Sequence, residues 1–216
     1  MFTKKTVRDI DVAGKTVLLR ADYNVPIDHG TITDDYRIKK SLPTVQYLLK
    51  QGAKVIICSH LGRPEGRPNL DESLFPIAKK LSELLGSNSV SFAKDCVGSE
   101  AEKAAQDLKA GQVLLLENLR FHPGEETNDE EFAGKLASLA EVFVQDGFGV
   151  VHRAHASTDA ITHFLPSVAG LLLETEVDTI TNVMEKPERP LMAVIGGAKI
   201  SDKIEVLNKF IDIADL

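Results

Sequence analysis

Basic side chains recur at one kind of place in this chain. Arg20 ends the apolar run Thr16-Val17-Leu18-Leu19; His60 and Arg63 follow residues 54–59; Arg120 follows residues 112–116; Arg153 follows residues 142–145; and Arg37 stands near the end of the first loop. Each run is short and apolar, as buried parallel strands are. Parallel strands of one sheet end on a shared edge, and open α/β sheets bind ligands in the crevice outside that edge. Guanidinium groups are permanently charged and fork onto carboxylate or phosphate through paired N–H donors. Several of them converging in a chain of net charge −7 require a local anion of high charge density, and a small phosphorylated acid fits.

Two neutralising neighbours sharpen that expectation. Asp22 and Asn24 follow Arg20 before Pro26 stops the ladder, a carboxylate to accept from a hydroxyl and an amide to donate or accept. Taken singly, each residue has a plainer reading. A loop arginine is commonly a solvated charge, Asp22 or Asn24 an Asx-turn, and His60 a backbone partner at a strand end. Their convergence is the argument. His152 and His155 lie three apart, but with no HExxH context or third ligand beside them they read as structural. The acidic stretch from Glu125 to Glu131 reads as a solvated helix start. Cys58 and Cys96 lack a partner motif and read as reduced, neither of them a nucleophile.

A second phosphate-like feature is Gly196-Gly197-Ala198-Lys199-Ile200-Ser201-Asp202-Lys203. Its glycines allow close approach, a following helix would favour an anion, and Lys199 and Lys203 add charge. The GxxxxGK[ST] spacing of a P-loop is missing, and a plain αβ connection explains the segment equally well.

The elements that must position these groups alternate in type. β-branched or Leu-rich runs alternate with amphipathic ones, which predicts βαβ units and a parallel sheet. Strands are expected at 16–21, 54–59, 89–92, 112–116 and 142–145. Helices are expected at 38–51, kinked at Pro43 or starting near Ser41, then at 73–85, ending at Gly86, and from a Ser99/Glu102 capping box to about 108. Two more are expected, from Asn128 with Glu131 through 140 and over 170–184. The run Lys186-Pro187-Glu188-Arg189-Pro190 marks a boundary, after which a strand at 191–195 and a helix capped by Ser201 begin a new unit. One βα unit buries neither of its faces, so the chain reads as a fragment of a longer protein. The expected organisation is a ligand-binding domain over 1–169, a helix and linker over 170–189, and the start of a second domain over 190–216.

Composition excludes other classes. With 43% hydrophobic and 26% charged residues in 216, the chain is ordinary globular material. Its acidity argues against nucleic acid or an anionic membrane surface as a partner. The N-terminus is too polar for a signal peptide, and no apolar run approaches the ~18 residues of a spanning helix, so a cytoplasmic protein is the expectation.

The segments Arg20-Ala-Asp-Tyr-Asn-Val-Pro26, Ser59-His-Leu-Gly-Arg-Pro64, Glu117-Asn-Leu-Arg-Phe-His-Pro-Gly124, His152-Arg-Ala-His-Ala-Ser157 and Gly196-Gly-Ala-Lys-Ile-Ser-Asp-Lys203 together resemble the phosphoglycerate kinase family. The resemblance implies a Rossmann-like three-layer sandwich binding 3-phosphoglycerate or 1,3-bisphosphoglycerate. It also implies the opening of a second domain of the same class, for Mg2+ with ATP or ADP. It implies a substrate set of Asp22, Tyr23, Asn24, Arg37, His60, Leu61, Gly62, Arg63, Arg120 and Arg153, with Arg63, Arg120 and Arg153 on the 3-phosphate and Arg37 near the reacting end. Gly197, Ala198, Lys199 and Lys203 would serve the nucleotide, with Arg37 and Lys199 catalytic. No metal ligand is assigned to this chain, because the family's lies in sequence beyond it, and a monomer is implied. Gly147 departs from the family's Asp-Ala-Phe-Gly pattern, as do Val150 and Val151 ahead of His152. The alternative from another class is a non-catalytic phosphoacid-binding α/β module.

Overall fold

The computed structural model describes residues 2–86, 90–196 and 204–216. Its main sheet is built from β1 (Thr16–Arg20), β4 (Lys54–Cys58), β5 (Val90–Phe92), β6 (Val113–Leu115), β7 (Val142–Gln145) and β8 (Ser167–Ala169). β2 (Ile27–Asp28) and β3 (Thr31–Ile32) make a small separate hairpin. The helices are α1 (Tyr36–Lys50), α2 (Phe75–Leu85), α3 (Gly98–Asp107), α4 (Pro123–Glu126), α5 (Glu130–Ala137), α6 (Leu171–Glu185) and α7 (Ile204–Ile213). The described residues fall into two compact units. One is Lys4–Glu174, and the other holds Thr175–Leu216 with the chain's first residues.

The six strands run in the order β5-β6-β4-β1-β7-β8, and every pairing is parallel. Alternation along the strands explains why both faces are covered. Val17, Leu19, Val55, Ile57, Val113, Leu115, Val142 and Val144 belong to one core with Ile38, Leu48, Ile77 and Leu81 of α1 and α2. Leu18, Ile56, Leu114 and Phe143 belong to the other with Ala101 of α3 and Leu136 of α5. Each fully buried Leu or Ile contributes roughly 1.5–3 kcal/mol, so the two cores hold the strand ends rigidly. From β1 the chain moves outward through β4 to β5 and β6, then crosses to the opposite side of β1 for β7 and β8. That reversal leaves a crevice at the carboxyl ends of the central strands.

Several local expectations are corrected. α1 runs unbroken through Pro43, which is exposed, so its ring and the carbonyl it leaves free face solvent. α2 starts at Phe75 with Pro76 in its first turn, and Ser73 instead donates to Glu117. The Ser99/Glu102 capping box does not form, because α3 already starts at Gly98 after an extended Val97. Asp129, not Asn128, caps α5, accepting the Phe132 amide at 2.7 Å, and α5 stops at Ala137. Asn128 takes a left-handed φ of 56° and reaches Asp159 and Ala160. Residues 191–196 form no strand; Leu191 bonds Asp215, and Ala193 bonds Leu216, rather than a neighbouring strand. The cap proposed at Ser201 lies outside the described residues. β8 and the β2–β3 hairpin escape the sequence reading because they are too short for a periodicity to register.

Both cysteines are free and buried. Burial pushes the Cys58 thiol up to about 12 and the Cys96 thiol well above its ordinary value.

Candidate functional site

The ends of β1, β4, β6 and β7 are neighbours in the sheet, and the side chains beyond them meet. The floor is Arg20, only 1% exposed. Its Nε donates to Ser157 Oγ at 2.8 Å, one Nη donates to the Ala21 carbonyl, and the other lies 3.2 Å from His60 Nδ1. Ser157 passes the charge on: its hydroxyl donates to Glu125 Oε1 at 2.6 Å and its amide to Oε2 at 3.0 Å. Glu125 is completely buried, so the expectation of a solvated acidic stretch is corrected there. Its charge is required inside to balance Arg20. His155 Nδ1 stands 3.9 Å from the same carboxylate, which gives that histidine the structural place expected for it.

His60 is 4% exposed, and its pKa is driven down to about 2, first by burial and then by the charges of Arg20, Arg120, Arg153 and Arg37. The ring is therefore neutral. A guanidinium only donates, so Nδ1 must accept from Arg20 and Nε2 must carry the hydrogen. His60 thus offers a neutral N–H donor where a fifth cation would be repelled.

The walls are loops pinned by amide and carboxylate groups. Asp22 Oδ2 pairs with Arg37 Nη1 at 2.7 Å, and its Oδ1 accepts the Asn24 amide at 3.1 Å. Asn24 Oδ1 accepts the Gly62 amide at 3.0 Å, tying the loop after β1 to the loop after β4. Gly62 has a φ of 62°, and a Cβ there would lie 1.9 Å from Glu72 Oε1, so this close turn needs glycine. Leu61 is clasped at both backbone groups by Asn118, at 3.3 and 2.7 Å. Tyr23 points the other way, into the core, with its hydroxyl 2.9 Å from Ser41. Its backbone is also engaged, the amide donating to Ser59 Oγ at 2.9 Å and the carbonyl accepting the Val25 amide at 2.8 Å.

The remaining arginines differ in freedom. Arg120 is 5% exposed, donates to the Gly62 carbonyl at 2.7 Å and pairs with Glu126 at 3.1 Å, while its buried Nε–H finds no partner among the described residues. Arg63 is anchored only by its amide, 2.7 Å from Glu72 Oε1. Arg63 and Arg153 are exposed, and neither guanidinium has a counter-ion among the described residues. Gly197, Ala198, Lys199 and Lys203 lie outside the described residues. The charges of Arg20, Arg37, Arg120 and Arg153 therefore converge on one neutral imidazole, with Asp22 paired to Arg37 and Asn24 tied to the Gly62 amide, whereas among the described residues no contact brings the Arg63 guanidinium to it. Arg20, counted in the sequence among the converging cations, is their floor, while sequence reasoning passed over Ser157, Glu125 and Asn118 as its support. The signal for these was their place in the same strand-end loops as the arginines.

Two departures noted in the sequence turn out to be one. A Cβ at Gly147 would stand 3.1 Å from Val150 Cγ2, so the loss of a methyl at 147 accompanies the bulk gained at 150.

Comparison with known proteins bears on this arrangement. A protein-family model described as phosphoglycerate kinase matches residues 7–216. Among curated proteins, the phosphoglycerate kinase of Pelotomaculum thermopropionicum is 55% identical over 206 residues, covering 95% of this chain and 52% of that protein. That of Moorella thermoacetica is 52% identical, covering 99% and 54%. Among solved structures, phosphoglycerate kinase from Coxiella burnetii superposes with a TM-score of 0.85 at 38% identity, covering 99% of this chain and 53% of that one. The enzyme from Pyrococcus horikoshii gives 0.88 at 34%, covering 98% and 54%. The chain spans about half the length of the curated relatives it matches. On its motifs, its six-stranded parallel sheet and these likenesses, it belongs to the phosphoglycerate kinase family, of which it carries the N-terminal region.

Proposed function

We propose that this chain is the phosphoglycerate-binding part of a glycolytic phosphotransferase. The reaction is reversible phosphoryl transfer between 1,3-bisphosphoglycerate and ADP, giving 3-phosphoglycerate and ATP. The observation that carries this reading is the neutral His60 surrounded by Arg20, Arg120, Arg153 and Arg37, with Arg63 and Arg153 uncompensated. Such a site repels a further proton and holds a polyanion.

In this reading Arg63, Arg120 and Arg153 hold the 3-phosphate, and His60 adds its Nε2–H. Asp22 and Asn24 orient the carbon skeleton, and Tyr23, Leu61 and Gly62 hold the two loops that present them. Arg37 faces the reacting end. Transfer of a phosphoryl group demands positioning and charge stabilisation rather than a covalent helper, and Arg37 with Lys199 supplies that charge. Gly197, Ala198, Lys199 and Lys203 serve the phosphates of ATP or ADP. The accompanying Mg2+ is unsuited to this basket, whose donors are guanidinium and imidazole and whose carboxylates Asp22 and Glu126 are paired with Arg37 and Arg120. It neutralises nucleotide charge elsewhere.

The domain division follows: 1–169 for the phosphoglycerate, 170–189 as helix and linker, and 190–216 opening the nucleotide-binding part. The protein works as a cytoplasmic monomer; among the described residues no helix is long and apolar enough to cross a membrane. Titration calorimetry of this chain with 3-phosphoglycerate at low salt should give saturable binding. Folded protein that releases no saturable heat would overturn the assignment. A coupled assay on the full-length gene product separates kinase from binding module, because the module consumes no 3-phosphoglycerate with ATP.

A further inference from the structure

A cavity of about 630 Å³, separate from the arginine basket, opens beside β5 and the loop after β6. Phe75, Phe92 and Phe121 line it, and Asp95 and His122 stand on its wall. Cys96 lies beside them, 1% exposed. None of Asp95, Cys96 and His122 serves the basket.

These residues come from segments far apart in the chain, the turn after β5 and the loop after β6, brought together because those strands pair. One carboxylate oxygen, one thiol sulfur and one imidazole nitrogen lie within 4.8 Å of one another. Donors around a tetrahedral ion, bound at about 2.0–2.3 Å, stand about 3.3–3.8 Å apart, so the cluster closes on an ion with shifts of about an ångström. Its geometry is already partly fixed. Asp95 Oδ1 accepts the Cys96 amide at 2.6 Å and meets His122 Nε2 at 2.7 Å. The His122 ring is stacked on Phe132, with centroids 5.3 Å apart. Thiolate and imidazole together select borderline-soft ions over magnesium or calcium.

We propose that Asp95, Cys96 and His122 form a binding site for a divalent transition-metal ion of the zinc class, with its fourth position open to the aromatic cavity. Binding forms a metal–sulfur bond as the Cys96 thiol gives its proton to solvent, and a metal–nitrogen bond to His122 replaces that ring's hydrogen bond to Asp95. The two acidic ligands then balance the ion's charge. Water or a small anion entering from the cavity completes the shell, as at metal sites with three protein ligands.

Cobalt(II) is the probe, added to this chain with circular dichroism to confirm folding. The expected result is a thiolate-to-cobalt charge-transfer band in the near ultraviolet that saturates at one ion per chain. Zinc should displace it and millimolar magnesium should not. Cys96→Ser should abolish the band. His122→Gln, at a half-buried position, should weaken binding at least tenfold, while Arg63→Ala leaves it unchanged. Folded wild-type protein without the band, a band that survives in the Cys96 variant, or unchanged cobalt affinity in the His122 variant overturns the proposal. In that case Asp95 and His122 are a hydrogen-bonded pair joining two loops.

Discussion

Nη1 of Arg37 lies 2.7 Å from Oδ2 of Asp22, so the basket arginine carried on α1 is tied to the strand end that the chain left before the helix began. The pair holds Arg37 in place while its partner loop is fixed by Asn24. A backbone position supports it: a Cβ on Gly149 would lie 2.5 Å from that same Asp22 oxygen.

Gly149→Ala should therefore displace the Asp22 carboxylate and release Arg37. The clash falls on the tip of a side chain in a partly exposed ion pair, so stability should change by less than about 1 kcal/mol. Affinity for 3-phosphoglycerate should fall about tenfold, equivalent to about 1.4 kcal/mol. Calorimetry beside thermal denaturation checks both; unchanged affinity would show that the Asp22–Arg37 pair does not position the ligand.

Replacing the arginines one at a time should separate binding from folding. Arg63→Ala and Arg153→Ala remove exposed, uncompensated charges and should leave stability within about 0.5 kcal/mol. Each should weaken phosphoglycerate binding about 10–100-fold, the worth of a charge-assisted hydrogen bond of about 1.5–3 kcal/mol. Arg120→Ala should do both kinds of damage, because it also strips Glu126 and the Gly62 carbonyl of their donor. Urea unfolding curves for the three variants distinguish the two patterns.

Ser157→Ala tests the floor. It removes both the acceptor of Arg20 Nε and a donor to the fully buried Glu125, leaving two buried charges poorly paired. A loss of about 2–3 kcal/mol is expected in chemical denaturation. An effect below about 0.5 kcal/mol would mean that Arg20 and Glu125 are held by other contacts.

The pH dependence of stability should carry two opposed contributions. Asp146 sits at the end of β7, where it accepts the Leu172 and Leu173 amides of α6. Burial raises its pKa from 3.8 to about 6. Its folded form binds a proton more readily than the unfolded chain, so its contribution is complete below about pH 4 and is lost as pH rises through 6, about 3 kcal/mol at most. His60 is the reverse. Unfolded, it takes a proton below its ordinary 6.5, and folded it resists until about 2, so stability falls by about 1.4 kcal/mol per unit as pH drops below 6.5. Between pH 6 and 4 the two nearly cancel. Asp146→Asn keeps an acceptor for the helix amides and removes the first contribution, so its stability relative to wild type should rise between pH 4 and 6 and level off above. Melting curves across that range check this, and a flat difference would refute it. Nitrogen-15 spectra should show His60 neutral and protonated at Nε2 from pH 5 to 8.

The amino-acid order alone determined that basic residues close the strands of a parallel sheet, because a short apolar run ended by Arg20 or by the loop after Cys58 is a local pattern. It also determined the family, since the motifs are contiguous segments. Tertiary structure decided what each group does there, because burial and partner choice depend on residues distant in the chain. Arg20 became a floor through Ser157, 137 residues away, and Glu125 became a buried counter-charge through the same serine. Tyr23 turned into the core because the face of β1 that packs on α1 continues through it. The cluster of Asp95, Cys96 and His122 exists only because β5 lies beside β6.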